Sequence, residues 1–267
     1  MILFDGRKEA EDLQEKLIHA VNFGNQITRL AIVQIGENAS SQKYIQLKLK
    51  LCEKLGVPAQ LYSINADLSD EDILVKVKDI FNDLGITGGI IQLPLPRKSL
   101  EGVLELLPVE KDLDLMCPSS QEKYYSGDFS RLPPVVRAVQ HFIKVNDIDI
   151  QNMKITILGN GFLVGRPVSW YLKSNGSEVS VIEDYVKGKK LDCQFAILSA
   201  GIGGLVDGLD MPKGCHVIDY GSTVIGGKSI GDLDMESSIN HLGIVSPSPG
   251  GMGPLVVQYL LFNLLGL

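Results

Sequence analysis

The chain predicts two α/β domains in succession, and three observations carry that prediction. Strand and helix patterns alternate in a β-α-β rhythm. The rhythm breaks once, between residues 105 and 134, and then resumes. In the second series a glycine-rich turn joins a strand to a helix, which marks a Rossmann-type dinucleotide-binding domain.

The first series opens with the strand "RLAIVQIG" and the helix "SSQKYIQLKLKLCEKLG", closed by Gly56. The strand "PAQLYSI" follows, then the capping sequence "SDED" with a helix through Phe81, then the strand "GGIIQL". The stretches "LLPVEKDLDLMCPSS" and "YYSGDFSRLPP" have no period and read as loops leading to a boundary. A helix from Val135 to Val145 begins the second series, whose strands are "KITILG", "EVSVIE", "QFAILSA" and "HVIDYG". The tail "GGMGPLVVQYLLFNLLGL" places Pro254 at the start of a helix that is apolar all round. Such a helix must be covered on every side, by the first domain or by a second subunit. The expected domains are therefore residues 1–134 completed by the helix 254–267, and residues 135–253.

Composition excludes several classes. With 267 residues, 45% hydrophobic and 21% charged, the chain has a soluble globular makeup. No apolar stretch is long enough to span a membrane, and the start "MILFDGRKEAEDLQEKL" lacks the order of a signal peptide. A net charge of −7, with no basic run beyond "KGKK", argues against nucleic acid as a partner. Cys52, Cys117, Cys193 and Cys215 show no Cys-x-x-Cys spacing and read as reduced thiols of a cytoplasmic protein. The four histidines are not at ligand spacing, so no metal site is expected.

The turn "ITILGNGFLVGRPVSWYL" carries Gly159, Gly161 and Gly165, with Asn160 between the first two. A Gly-x-Gly turn lets backbone amides approach a pyrophosphate at a helix N-terminus. The spacing here has three residues before the last glycine, and tight packing alone would also use such a turn. Glu183 and Asp184 close the next strand, Asp184 about 25 residues beyond Gly159. An acid there can grip an adenosine ribose, or can mark a solvated turn.

On a helical projection of residues 41–55 at about 100° per residue, Tyr44, Ile45, Leu47, Leu49, Leu51, Cys52 and Leu55 share one broad arc. Lys48 falls inside that arc, whereas Lys43, Lys50 and Lys54 lie on the opposite side. It either snorkels to solvent or is a desolvated amine whose lowered pKa suits proton transfer.

Several motifs together resemble the bifunctional methylenetetrahydrofolate dehydrogenase/cyclohydrolases. "GENASSQKYIQLKLKLC" resembles the family's Ser-x-x-Tyr-x-x-x-Lys helix, and "GGIIQLPLP" its Gln-Leu-Pro-Leu-Pro segment. "VEKDLDLMCP" resembles Lys-Asp-Val-Asp-Gly, and "GNGFLVGRP" the Gly-Arg-Ser-x-x-Val-Gly-x-Pro loop. "VIDYGS" and "GDLD" follow in order, and "SPSPGGMGP" is close to Thr-Pro-Val-Pro-Gly-Gly-Val-Gly-Pro. The resemblance implies a cleft between the domains, a tetrahydrofolate substrate, hydride transfer to a nicotinamide cofactor and a homodimer. It makes Lys48 the central catalytic residue, with Tyr44 stacking near the aminobenzoyl ring, Gln92 tuning Lys48 and Asp114 gripping the pterin. Ile91 and Leu93 flank Gln92 at the folate site, and the loop Pro249, Gly250, Gly251, Met252 and Gly253 would close over the folate. Gly201 and Ser222 fall with the cofactor-binding residues.

The chain also departs from the pattern. The family's Pro-Cys-Thr-Pro is Pro133 to Val136 ("PPVV"), its Gly after the pterin-binding Asp is Leu115, and Asn160 replaces the Arg of the cofactor loop. With Glu183 and Asp184 in place of a His-Ser pair, NAD is the expected cofactor and NADP the alternative. A catalytically weak folate- or nucleotide-binding paralogue is the competing reading, favoured by the altered "PPVV".

Overall fold

The computed structural model describes residues 1–24 and 28–267. In chain order the elements are β1 (Ile2–Leu3), α1 (Gly6–Phe23), β2 (Leu30–Ile35), α2 (Ala39–Leu55), β3 (Ala59–Ile64), α3 (Asp70–Asn82) and β4 (Gly88–Ile91). There follow α4 (Pro118–Tyr125), α5 (Pro134–Val145), β5 (Lys154–Leu158), α6 (Gly165–Ser174), β6 (Glu178–Ile182) and β7 (Phe195–Leu198). The remainder are β8 (Val206–Asp207), β9 (His216–Asp219), β10 (Thr223–Ile225), β11 (Lys228–Ile230), β12 (Leu233–Asp234), α7 (Met235–Ser238), β13 (Ile244–Ser246) and α8 (Met252–Leu265).

These elements form two compact units: Leu13–Pro134 with Val257–Leu267, and Met1–Asp12 with Val135–Val256. The assignment of residues 1–12 differs from the sequence-based expectation. Strand β1 pairs in parallel with β13, Ile2 opposite Ile244, and so joins the second sheet. Two residues are too few for a strand pattern to be visible in the sequence.

The unit holding residues 13–134 is built on the parallel sheet β3-β2-β4. All six β2 residues are buried, as expected of a central parallel strand. Helix α3 is capped by Ser69, whose hydroxyl accepts from the Asp72 N–H, and buries Ile73, Val77 and Phe81 at helical spacing. The apolar tail packs back within this unit: Asn263 donates to the Leu113 and Leu132 carbonyls. Helix α8 starts two residues before Pro254, which is tolerated because N–H groups of the first turn have no helical partner. Residues 98–106 form 3₁₀ turns, and 118–125 form α4 where a loop was expected. Of α4 only Ser120 and Tyr124 are buried, so it offered no apolar period.

The other unit carries an all-parallel main sheet of order β1-β13-β9-β7-β5-β6. Strand β5 has β6 on one side and β7 on the other. The strand order therefore reverses between β5 and β7, and the crevice at their carboxyl ends is where such sheets receive ligands. Phe142 packs between Phe4 and Phe195, with ring centroids 5.0 and 5.8 Å away.

Candidate active site

Helix α2 is preceded by Asn38, whose Oδ1 accepts from the Ser41 N–H at 3.1 Å. The buried Ser41 hydroxyl donates to the Leu93 carbonyl at 2.9 Å, tying the first turn of α2 to the segment that leaves β4. Along the helix follow Tyr44, half-buried, and Lys48, which is 8% exposed. Lys48 sits among the buried Ile45, Leu51, Cys52 and Leu55, so it does not snorkel. Leu47, which the helical period places on the same arc, is exposed.

Lys48 Nζ donates to Gln92 Oε1 at 3.1 Å. Gln92 is held from behind: its Nε2 donates to the Leu93 carbonyl at 2.9 Å, and its backbone N–H to the Val33 carbonyl at 2.8 Å. With the amide NH₂ engaged on a carbonyl, its oxygen is left to face the lysine. Ile91 is a buried core residue of β4 and Leu93 is half-buried.

Burial lowers the Lys48 pKa from the ordinary lysine value, and the Asp114 carboxylate opposes that shift. Asp114 moves the other way: burial raises it, Lys48 holds it down and Asp112 raises it again. Asp112 is fully buried and accepts from the Met116 and Cys117 N–H groups at 3.1 and 2.8 Å, shaping the turn that carries Asp114. Leu115 adopts φ 55°, a left-handed conformation that costs a non-glycine residue about 1–2 kcal/mol. The backbone that suits glycine is kept although the residue is not, and burial of the leucine side chain offsets a cost of that size. Tyr44, Lys48, Gln92 and Asp114 thus belong to one unit, with Lys48 able to exchange a proton nearer neutrality than a solvated lysine could.

In the other unit the glycine turn sits at the carboxyl end of β5. A Cβ on Gly165 would lie 2.1 Å from the Gly159 carbonyl oxygen, so helix α6 approaches the turn as closely as a glycine permits. Gly161 is exposed with open space around it. This strand–turn–helix at a switch point fits a dinucleotide pyrophosphate. Asn160 Nδ2 donates to Glu183 Oε1 at 3.1 Å across the ends of β5 and β6, and Glu183 and Asp184 are both exposed. Gly201 follows β7 with φ 72° and is exposed; Ser222 is exposed, its hydroxyl 3.1 Å from that of Ser229. Residues 249–253 also belong to this unit apart from Tyr44 and Lys48. Pro249 is exposed, Gly250 and Gly253 are half-buried, and Met252 is buried. Gly251 has no room for a side chain, since a Cβ would lie 2.2 Å from Ser246 Oγ.

Residues 4–114 match the family model described as tetrahydrofolate dehydrogenase/cyclohydrolase, catalytic domain, and residues 133–267 match that of the same family's NAD(P)-binding domain. The chain belongs to the tetrahydrofolate dehydrogenase/cyclohydrolase family. It is 30% identical to the bifunctional protein FolD of Staphylococcus carnosus over 98% of this chain and 95% of that one. It is 29% identical to the FolD of Staphylococcus haemolyticus over the same shares. Among solved structures, the bifunctional FolD of Campylobacter jejuni superposes with a TM-score of 0.89 at 28% identity, covering 99% of this chain and 97% of that one.

Within the family's catalytic domain lie all of Tyr44, Lys48, Gln92 and Asp114, and within its NAD(P)-binding domain lie the glycine turn and the acid pair. The altered "PPVV" is buried throughout, with Val136 fully inaccessible. Sequence reasoning passed over Ser41, Asp112, Asp219 and Asp232, whose work is to hold backbone. All four stand inside the quoted motifs, Ser41 in "GENASSQKYIQLKLKLC", Asp112 in "VEKDLDLMCP", Asp219 in "VIDYGS" and Asp232 in "GDLD".

Proposed function

We propose that the chain oxidises 5,10-methylenetetrahydrofolate to the methenyl form with NAD and hydrolyses the methenyl product to 10-formyltetrahydrofolate. The observation that carries this reading is the buried Lys48 amine set against Gln92 and beside the charge of Asp114. Bound nicotinamide would supply the hydride acceptor, held at its pyrophosphate by the turn of Gly159, Gly161 and Gly165. Asp114 in its charged form accepts hydrogen bonds from the pterin's guanidine-like edge, and Tyr44 offers its ring to the aminobenzoyl group. Gln92 keeps the Lys48 amine oriented. Neutral Lys48 takes a proton from water as its oxygen attacks the methenyl carbon. The resulting ammonium gives that proton to the ring nitrogen released when the carbon–nitrogen bond breaks, while the adduct hydroxyl loses its remaining proton to solvent as the formyl carbonyl forms.

For NAD over NADP, the support is electrostatic. Glu183 and Asp184 put exposed carboxylates at the carboxyl end of β6, and these would repel a ribose 2′-phosphate of about two negative charges held there. Two nearby lysines are engaged elsewhere: Lys187 Nζ donates to the Gly204 carbonyl at 2.7 Å and Lys190 Nζ to the Leu209 carbonyl at 2.9 Å. Lys189 lines a groove with Lys154, Glu178 and Asp192. Tyr185 locks this loop, donating to Asp210 Oδ2 and placed within 2.9 Å of the Lys189 carbonyl.

The proposal extends to a cytoplasmic homodimer, supported on the first count by four free, buried cysteines and on the second by the family pattern alone. The test is a spectrophotometric assay of methenyl formation with each nicotinamide cofactor at equal low concentration. Faster turnover with NAD, followed by loss of the methenyl absorbance, is expected. No methenyl formation with either cofactor would leave the binding paralogue as the reading.

A further inference from the structure

The loop after β7 is held by a carboxylate that the reaction does not use. Asp232 is fully buried, and its two oxygens accept from three consecutive backbone N–H groups. Oδ2 takes Ala200 at 2.7 Å and Gly201 at 3.1 Å, and Oδ1 takes Ile202 at 2.7 Å. Successive N–H groups that converge in this way form a nest, a concavity that ordinarily binds an outside anion. Here the protein supplies the anion itself. Thr223 completes the clamp, its hydroxyl accepting from the Gly203 N–H at 3.1 Å and donating to the Gly201 carbonyl at 2.8 Å.

Asp232 is positioned in turn by a second buried carboxylate. Asp219, at the end of β9, accepts from the N–H groups of Asp232 at 3.1 Å, Leu233 at 3.0 Å and Gly221 at 2.8 Å. There is no slack around the pair. A Cβ on Gly221 would lie 2.1 Å from Asp232 Oδ1, and one on Gly231 2.0 Å from Asp219 Oδ2. Two carboxylates in series, each accepting three backbone N–H groups, therefore connect β9 to the loop at the carboxyl end of β7. That loop borders the β5/β7 switch point.

We propose that Asp232 is a positioning residue for the nicotinamide cofactor, fixing the Ala200–Ile202 backbone and closing its nest to phosphate. The pyrophosphate is thereby left to the glycine turn at Gly159–Gly165, and the loop after β7 meets the cofactor as a rigid surface. This inference rests on the dehydrogenase/cyclohydrolase reading given above.

The test is Asp232→Asn, which keeps one accepting oxygen and removes the charge and the other. Dehydrogenase and cyclohydrolase activities are measured on the same preparation. Loss of charge-assisted acceptors predicts a KM for the preferred cofactor, whichever it is, raised by about tenfold or more. The KM for methylenetetrahydrofolate and the rate of cofactor-independent methenyl hydrolysis are expected to stay within about twofold of the parent, the scatter of ordinary surface-level effects. An unchanged cofactor KM with hydrolysis intact overturns the proposal; absence of hydrolysis in the parent protein overturns the functional reading instead. Should the variant not fold, amide hydrogen exchange on the unmodified protein decides. The Ala200, Gly201 and Ile202 amides are expected to be protected although Gly201 and Ile202 are exposed residues, and exchange at the rate of a free loop refutes the clamp.

Discussion

Replacing Lys48 by methionine tests the centre of the site, because methionine matches the side chain in length and cannot carry a proton. General acid–base transfer by a positioned side chain contributes about 10²–10⁴-fold. Hydrolysis of the methenyl substrate should fall by about that factor, equivalent to about 3–5 kcal/mol of barrier. The fold should tolerate the change. The variant loses the 3.1 Å bond to Gln92 Oε1, a net contribution of about 1 kcal/mol, and gains by no longer burying a charge. The melting temperature should therefore move by no more than about 4 °C. Lys48→Arg is the control: it keeps the charge but cannot release a proton near neutral pH, and it should fail in hydrolysis as methionine does. Circular dichroism and methenyl absorbance on the purified variants measure both quantities. A Lys48→Met protein that folds normally and hydrolyses the substrate within about tenfold of the parent would refute proton transfer by Lys48, since that lies below the smallest expected contribution.

The remaining predictions concern Asp114 and Asp184. Asp114→Asn should weaken binding of a folate analogue by about 1.5–3 kcal/mol, read by calorimetric titration, because the contact is charge-assisted. The same change removes the charge that raises the Lys48 pKa. Neutral amine then forms at lower pH, and the rising limb of the hydrolysis rate against pH should shift to lower pH. A limb that stays in place, or shifts upward, would uncouple the two residues. Asp184→Ser removes a carboxylate from the ribose site and should raise the specificity constant for NADP relative to NAD; an unchanged ratio would make Asp184 a solvated turn residue.

How much of this was legible in the sequence depends on what each residue does. Lys48 was legible because a helix projects side chains at a fixed period, so one charge among apolar neighbours is visible without coordinates. Even there the arc was too broad: Leu47 is exposed, whereas Ile45, Leu51, Cys52 and Leu55 are buried. The strands β2 to β7 were visible as apolar runs, whereas β1, β8 and β12 have two residues each, and their pairing is dictated by partners far away in sequence. Asp112, Asp219 and Asp232 could not be ranked from composition. An acid that accepts three backbone N–H groups and an acid in a solvated loop are the same letter, and the difference is made by chain that returns from elsewhere. Leu115 shows the converse. Its sequence departs from the family's glycine, yet its φ of 55° keeps the glycine's backbone.

The paired acids at the end of β6 join both kinds of evidence. By sequence alone, Glu183 and Asp184 could be a solvated turn, with Lys187, Lys189 and Lys190 close enough in the chain to cancel their charge. Flexible lysines would do so if they were free to swing toward a phosphate. Lys187 and Lys190 instead donate to the carbonyls of Gly204 and Leu209, and Lys190 also lies 3.5 Å from Asp210 Oδ1. The loop that carries them is pinned at Gly188, whose N–H donates to Asp210 Oδ2 at 3.1 Å. Recruiting either lysine to a 2′-phosphate would mean breaking these bonds, while Glu183 is already oriented by Asn160, the residue that stands in for the family's arginine. These bonds on Lys187 and Lys190 support the proposal of NAD as cofactor, and a parent protein that turns over faster with NADP at equal low concentration would overturn it.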